Sequence, residues 1–177
     1  MSSATTEKAH KRPHSPRHLA RAFALLGLYQ WLADPQLRYM DVRDRLTGLI
    51  QDEDEALEGT SIDLKDFEKC DQALFSELLS GVLEDPTVIE PVFAKHVDRD
   101  LKRVSLVERA ILYLGTYELM KCPQTPYRVV LNEAIELAKE FGSGYRFTNA
   151  VLEHVAEEER STEFAADHAK KGQEAGA

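Results

Sequence analysis

Residues 125–142, TPYRVVLNEAIELAKEFG, decide the fold. Thr125-Pro126 is a helix start, because proline fits the first helical turn, where its missing N–H costs nothing. Val129, Val130, Ile135, Leu137 and Ala138 then recur at helical spacing and are expected to face inward. Gly142 closes the segment as a C-terminal stop.

Helical punctuation extends outward in both directions. Downstream, Phe147, Val151, Leu152 and Val155 mark a further helix. Upstream, Ser105-Leu106-Val107-Glu108 matches a capping box, in which a serine and a glutamate three residues apart satisfy two orphan helix N–H groups. Its helix carries Val107, Ile111, Leu114 and Leu119 and ends near Lys121. Asp85-Pro86 opens a fourth helix, bent at Pro91. Asp63 is expected to cap a third, from Leu64 to about Leu83, with Phe67, Cys70, Leu74, Leu78 and Val82 in register. A second is predicted over Pro35 to Ile50, anchored by Leu37, Met40, Leu46 and Leu49, and followed by an acidic solvated loop, 51–60. The first begins at Ser15-Pro16, a serine N-cap with proline behind it, and runs to about Ala33, where Asp34-Pro35 stops it.

In that first helix Arg17, Arg21, Ala24 and Leu28 form one stripe, and Leu19, Phe23 and Leu26 another. From Ala22 onward it is apolar on nearly every side, so it is central or covered by a partner. No period-two alternation persists long enough for a strand. The expected fold class is all-α, about seven helices. Residues 1–14 read as a flexible basic arm and 158–177 as a polar, disordered tail.

The 177 residues are 43% hydrophobic, enough for a genuine core. No apolar run approaches the ~20 residues that span a bilayer, and no signal-type segment opens the chain, so a cytoplasmic location is expected. Net charge is −9. Residues 1–22 hold Lys8, Lys11, Arg12, Arg17 and Arg21 against Glu7 alone: a basic arm on an acidic body, suited to meeting phosphates.

Enzyme signatures are missing. Neither GxGxxG nor GxxxxGK[ST] occurs, nor HExxH or GxSxG, and no nucleophile stands at a recognisable spacing from a base. Cys70 and Cys122 lack CxxC spacing and read as reduced thiols. His10, His14 and His18 fall four apart, but Pro13 and Pro16 interrupt any helix that would align them for a metal. His154 and Glu158, also four apart, read as a solvated pair. No cofactor is expected.

Three stretches resemble the NusB family. The first is Arg17-His18-Leu19-Ala20-Arg21-Ala22 running into Ala24-Leu25-Leu26-Gly27-Leu28-Tyr29-Gln30-Trp31. The second is Val107-Glu108-Arg109-Ala110-Ile111-Leu112 through Tyr117-Glu118-Leu119. The third and most specific is Pro126 to Gly142, followed by Phe147-Thr148-Asn149-Ala150-Val151-Leu152. The match covers roughly 15–157, with 35–95 matching mainly in helix pattern.

The resemblance implies a NusB-like domain over 15–157, in two packed sub-bundles of about 15–84 and 85–157. It implies a transcription antitermination factor, not an enzyme. Such a factor pairs with the ribosomal protein NusE, binds boxA-type single-stranded RNA in nascent ribosomal RNA leaders, and joins the RNA polymerase antitermination complex. Two departures fall on the expected RNA surface. His18 and Leu19 stand where further arginines often occur, and the loop after Phe141-Gly142 is short, Ser143 to Arg146.

Arg17 and Arg21 are candidate phosphate contacts, since a helix N-terminus is electrostatically poor for cations and their placement there favours function. Lys11 and Arg12 extend that candidate set into the arm. Tyr145, Arg146 and Phe147 offer aromatic faces for bases and a cation for a phosphate. His96 aligns with a family position that contacts RNA. Tyr29 and Glu108 match the family's partner-facing tyrosine and glutamate. Asn132 and Glu133 read as structural hydrogen-bonders tying helices together.

Two other classes compete. Some ribosomal RNA cytosine methyltransferases begin with a NusB-like domain, but they need an α/β domain for the methyl donor, and only polar sequence follows the last matched helix here. A helical scaffold that binds protein alone would fail to bind boxA RNA.

Overall fold

A computed structural model describes residues 13–51 and 62–175. Among them are eight α-helices: α1 (Pro16–Ala33), α2 (Tyr39–Gln51), α3 (Gln72–Glu84), α4 (Pro86–Ala94), α5 (Leu106–Lys121), α6 (Tyr127–Glu140), α7 (Tyr145–Glu159) and α8 (Ser161–Ala175). Two short 3-10 turns, Leu64–Lys69 and Leu101–Arg103, complete the described fold, which is all-α.

α1 lies at the centre. It packs against α3 on one side and α5 on the other, while α2 joins the α1–α3 group and α5, α6 and α7 pack together. The apolar sweep from Ala22 is therefore covered from within. Residues 18–25, 27 and 28 are all buried. Edge-to-face aromatic pairs knit the layers: Phe67 stands between Phe23 and Phe75, with 5.1 Å to each, and Tyr113 packs on Phe93 at 4.9 Å and Trp31 at 5.5 Å. Each buried large side chain of this kind contributes about 1.5–3 kcal/mol.

The caps that define the helix starts are formed. The Ser15 hydroxyl accepts from His18 N at 3.1 Å. Ser105 accepts from Glu108 N at 3.2 Å while Glu108 accepts from Ser105 N at 3.4 Å, completing the capping box. At the end of α6, Gly142 takes φ +71°. Its N–H donates to Lys139 O and that of Ser143 to Ala138 O, the paired bonds of a Schellman ending.

Three expectations are corrected. α2 begins at Tyr39, not Pro35: Leu37 N donates to Asp34 O in a turn, and Asp41 accepts from Arg38 N, so 34–38 is spent as a connector. Among its described side chains Val42 and Leu46 are buried and Met40 is exposed, while the expected anchor Leu49 lies outside the described side chains. The single third helix is two elements, because Cys70 is extended and Asp71 N donates to Pro16 O at 2.9 Å before its carboxylate caps α3.

The polar C-terminal stretch expected to be disordered contains a helix, α8. Arg160 anchors its start by donating to the carbonyls of Glu118, Leu119, Cys122 and Thr125 around the end of α5, two of which, Glu118 and Cys122, also accept from backbone N–H groups. Glu163 accepts from Tyr127 N at 3.0 Å, a capping role that Pro126 cannot fill at the start of α6. Phe164 packs on Tyr127, and Asp167 pairs with Arg128.

Candidate nucleic-acid and partner interface

The start of α1, the end of α6, the start of α7 and the start of α5 meet at one end of the molecule. His18 in the first turn of α1 bonds Glu133 and Glu140 of α6. Ser143, between α6 and α7, donates to Glu108 in the first turn of α5 at 3.4 Å. The candidate RNA residues on α1 and α7 are brought to this end.

Arg17 is exposed, with its guanidinium 3.7 Å from Asp71. Tyr145 and Arg146 are exposed in the first turn of α7, inside the helix rather than in the loop expected for them. A cation in that turn opposes the helix dipole, as Arg17 does in α1. Phe147 is half-buried against the core, and its outer face carries the Arg99 guanidinium 4.4 Å from the ring centroid. Lys139 lies over Tyr145 at 5.2 Å. Arg99 and Lys139 were not among the residues singled out from sequence. Lys139 lies in the Pro126–Gly142 stretch without being marked for a ring contact, Arg99 lies in no motif, and the packing of α6 and of the 95–103 connection brings them to the aromatic rings.

Arg21 is placed differently from its sequence expectation. It is 2% exposed, facing α5, and its Nε and Nη2 grip both oxygens of Glu118 at 2.8–3.1 Å. With this edge of its guanidinium paired to a carboxylate and the side chain buried, it does not reach the surface where a phosphate would lie. The helical stripe read from sequence is real, but at position 21 it has already turned into the α1–α5 seam. His96 is half-buried, 3.0 Å from Glu158 and stacked on His154 at 5.2 Å, farther along α7. Lys11 and Arg12 lie outside the described residues.

The candidate partner residues occupy distinct settings. Tyr29, on α1, is 41% exposed although ten residues before it are buried. Glu108 is half-buried, and its carboxylate is already shared between the capping box and Ser143. Glu133 is the helix tie expected of it, 2.7 Å from His18 Nδ1 and 4.0 Å from Arg21. Asn132 is exposed.

The polar seam behind this end has its own electrostatics. Hydrogen bonds from Glu133 and then Glu140 push the His18 imidazole up to about 9, overcoming its burial, so it is a cation at neutral pH. Burial pushes the Cys70 and Cys122 thiols up to about 11 and about 12, the opposite of an activated nucleophile.

These features define an all-helical protein with exposed cationic and aromatic side chains gathered at one end and a buried ion-pair seam behind them. The chain matches the NusB family over residues 18–157. It is 38% identical over 161 residues to the transcription antitermination protein NusB of Ralstonia pickettii (strain 12J), covering 90% of this chain and 94% of that one. Identity is 42% over 154 residues to the protein of the same name from Laribacter hongkongensis (strain HLHK9), covering 86% and 84%. It is 42% over 157 residues to that of Azoarcus sp. (strain BH72), covering 88% and 92%. The chain belongs to the NusB family. Among the described residues no helix is long and apolar enough to cross a membrane.

Proposed function

We propose that this protein is a cytoplasmic transcription antitermination factor, acting by binding rather than catalysis. It binds boxA-type single-stranded RNA jointly with ribosomal protein NusE and so promotes processive transcription of ribosomal RNA operons by RNA polymerase. The observation that carries this reading is the family match across 18–157, reinforced by relatives whose names state antitermination. The exposed side chains are of the right chemistry. Arg17 and Arg146 are cations for phosphates on an otherwise acidic body, Tyr145 offers an exposed ring to unstacked bases, and the half-buried Phe147 would receive one only if Arg99 moved off its outer face. Tyr29 supplies an exposed aromatic for the protein partner, and Glu108, half-buried near the start of α1, a carboxylate. Arg21 supports the site from behind, by fixing α1 to α5.

Gel-shift titration with boxA RNA and a scrambled control, with and without NusE, tests the reading. Preferential boxA binding that tightens when NusE is added is the expected result. A protein that binds NusE while ignoring both RNAs is a protein-only scaffold, and the RNA role fails.

A further inference from the structure

Where the entry to α1 meets the end of α6, three side chains converge on a small volume. His14 precedes the helix and His18 occupies its first turn, with their rings stacked 4.8 Å apart. Glu140 reaches both, Oε1 at 3.1 Å from His14 Nε2 and Oε2 at 2.9 Å from His18 Nε2. One donor atom from each residue lies within 4.8 Å of the other two. The His18 and Glu140 side chains are 9% and 6% exposed, and that of His14 is 28%.

We propose that His14, His18 and Glu140 form a binding site for one divalent transition-metal ion of the zinc type, with Glu133 as the positioning residue for His18. Two imidazoles and a carboxylate are a zinc-type donor set, which a water would complete to four. The second nitrogen of His18 is already committed. Its Nδ1 lies 2.7 Å from Glu133 Oε2, the carboxylate–histidine arrangement that fixes a ligating imidazole and directs Nε2 at the ion. Metal bonds of ~2.0–2.1 Å hold tetrahedral donors roughly 3.3–3.5 Å apart. The two nitrogen–oxygen separations are already that close, so contraction falls on His14, which no helix holds.

The prolines that interrupt the histidine spacing do not prevent this approach. Ser15-Pro16 turns the chain so that His14 stacks back on His18, while Glu140 arrives from 122 residues away along the chain. Without a metal, the doubly protonated His18 ring bridges the two glutamates, donating Nδ1–H to Glu133 and Nε2–H to Glu140. A metal replaces that proton at Nε2 and releases it to solvent. The bound ion would clamp the segment leading into α1 to the end of α6.

Titration of the full, chelator-treated chain with Co²⁺, read by its visible d–d absorption, and with Zn²⁺ by calorimetry, tests the site. One ion per chain should bind, without the sulfur charge-transfer band that a cysteine ligand gives. His14→Ala, which removes a ligand outside any helix, should keep the parental far-UV circular dichroism and weaken binding by tenfold or more. Glu140→Gln should do the same to binding. A parent that shows no saturable binding, or parental affinity in either variant, overturns the proposal.

Discussion

Arg21, in the second turn of α1, is buried against α5. A cation near the start of a basic helix reads as a ligand for phosphate, yet it lies in the seam between α1 and α5, gripped by Glu118. Sequence periodicity places Arg17 and Arg21 on one stripe, but it does not say where along the stripe a neighbouring helix begins to cover it. Glu118 sits 97 residues away, and nothing local in the sequence links the two. Arg21→Met should destabilise the fold by about 3–5 kcal/mol in urea denaturation, because it leaves a buried carboxylate unpaired. The double change Arg21→Met with Glu118→Leu should recover most of that loss. Equal destabilisation by the single and double variants would mean the pair matters for shape and not for charge.

His18 gives a pH dependence with a definite sign. Its folded-state pKa is raised from 6.5 to about 9, so its contribution is fully present below pH 6.5 and is lost as pH rises through about 9. In chelator-containing buffer the parent should lose on the order of 2 kcal/mol across that window relative to His18→Gln, once solvent screening is allowed for. Parallel stability curves for the two proteins would contradict the assignment.

At the scale of elements, the sequence was legible wherever a local device ends or starts a helix. The capping box at Ser105, the serine cap at Ser15 and the left-handed Gly142 each sit where their chemistry requires. It was less legible where a distant contact sets the boundary. The third helix splits because Asp71 N finds Pro16 O, and the start of α2 is displaced by a turn at Asp34. α8 was missed because its composition is polar. Its stability comes from Arg160, which caps the end of α5, and from Phe164 against Tyr127, neither of which shows in hydrophobic periodicity. Arg160→Met should cost about 2–3 kcal/mol, by taking the donor from the Leu119 and Thr125 carbonyls and the second donor from those of Glu118 and Cys122. It should also speed amide hydrogen exchange across 161–175 more than elsewhere. Uniform exchange along the chain would show that Arg160 does not pin this element.

The contact between α3 and α5 is similarly specific. A Cβ on Gly81 would stand 2.3–2.4 Å from the Tyr117 ring and hydroxyl, too close for any side chain. Gly81→Ala should destabilise by about 1–3 kcal/mol, with much less loss in a Tyr117→Leu background. Additive losses would place the strain elsewhere.

Over the whole molecule, the acidic body and the cationic, aromatic end divide the work. α1 runs through the centre and emerges at both ends, Arg17 at one and Tyr29 toward the other, so a single helix links the proposed RNA and NusE surfaces. Tyr29→Asp should weaken NusE binding by about 2–5 kcal/mol in calorimetry, because a charge is forced into a desolvated contact. Unchanged affinity in a folded variant would remove Tyr29 from that surface. For the proposed RNA end, the sequence supplied the residue types, Arg17, Tyr145, Arg146 and Phe147. That Arg21 turns into the α1–α5 seam, and that Arg99 and Lys139 lie over the Phe147 and Tyr145 rings, is set by the packing.

The measurement that bears most directly on the central claim is boxA RNA affinity as a function of salt, with NusE present, for the parent and for Arg17→Ala with Arg146→Ala. Each phosphate neutralised on a single strand contributes about −0.7 to the slope of log affinity against log salt. The double variant should therefore bind more weakly at low salt, with a slope flatter by roughly 1.4, and should still prefer boxA over a scrambled RNA, because base contacts carry the preference. A folded double variant with the parental slope and affinity, or a parent that does not distinguish boxA from its scramble, would contradict the account.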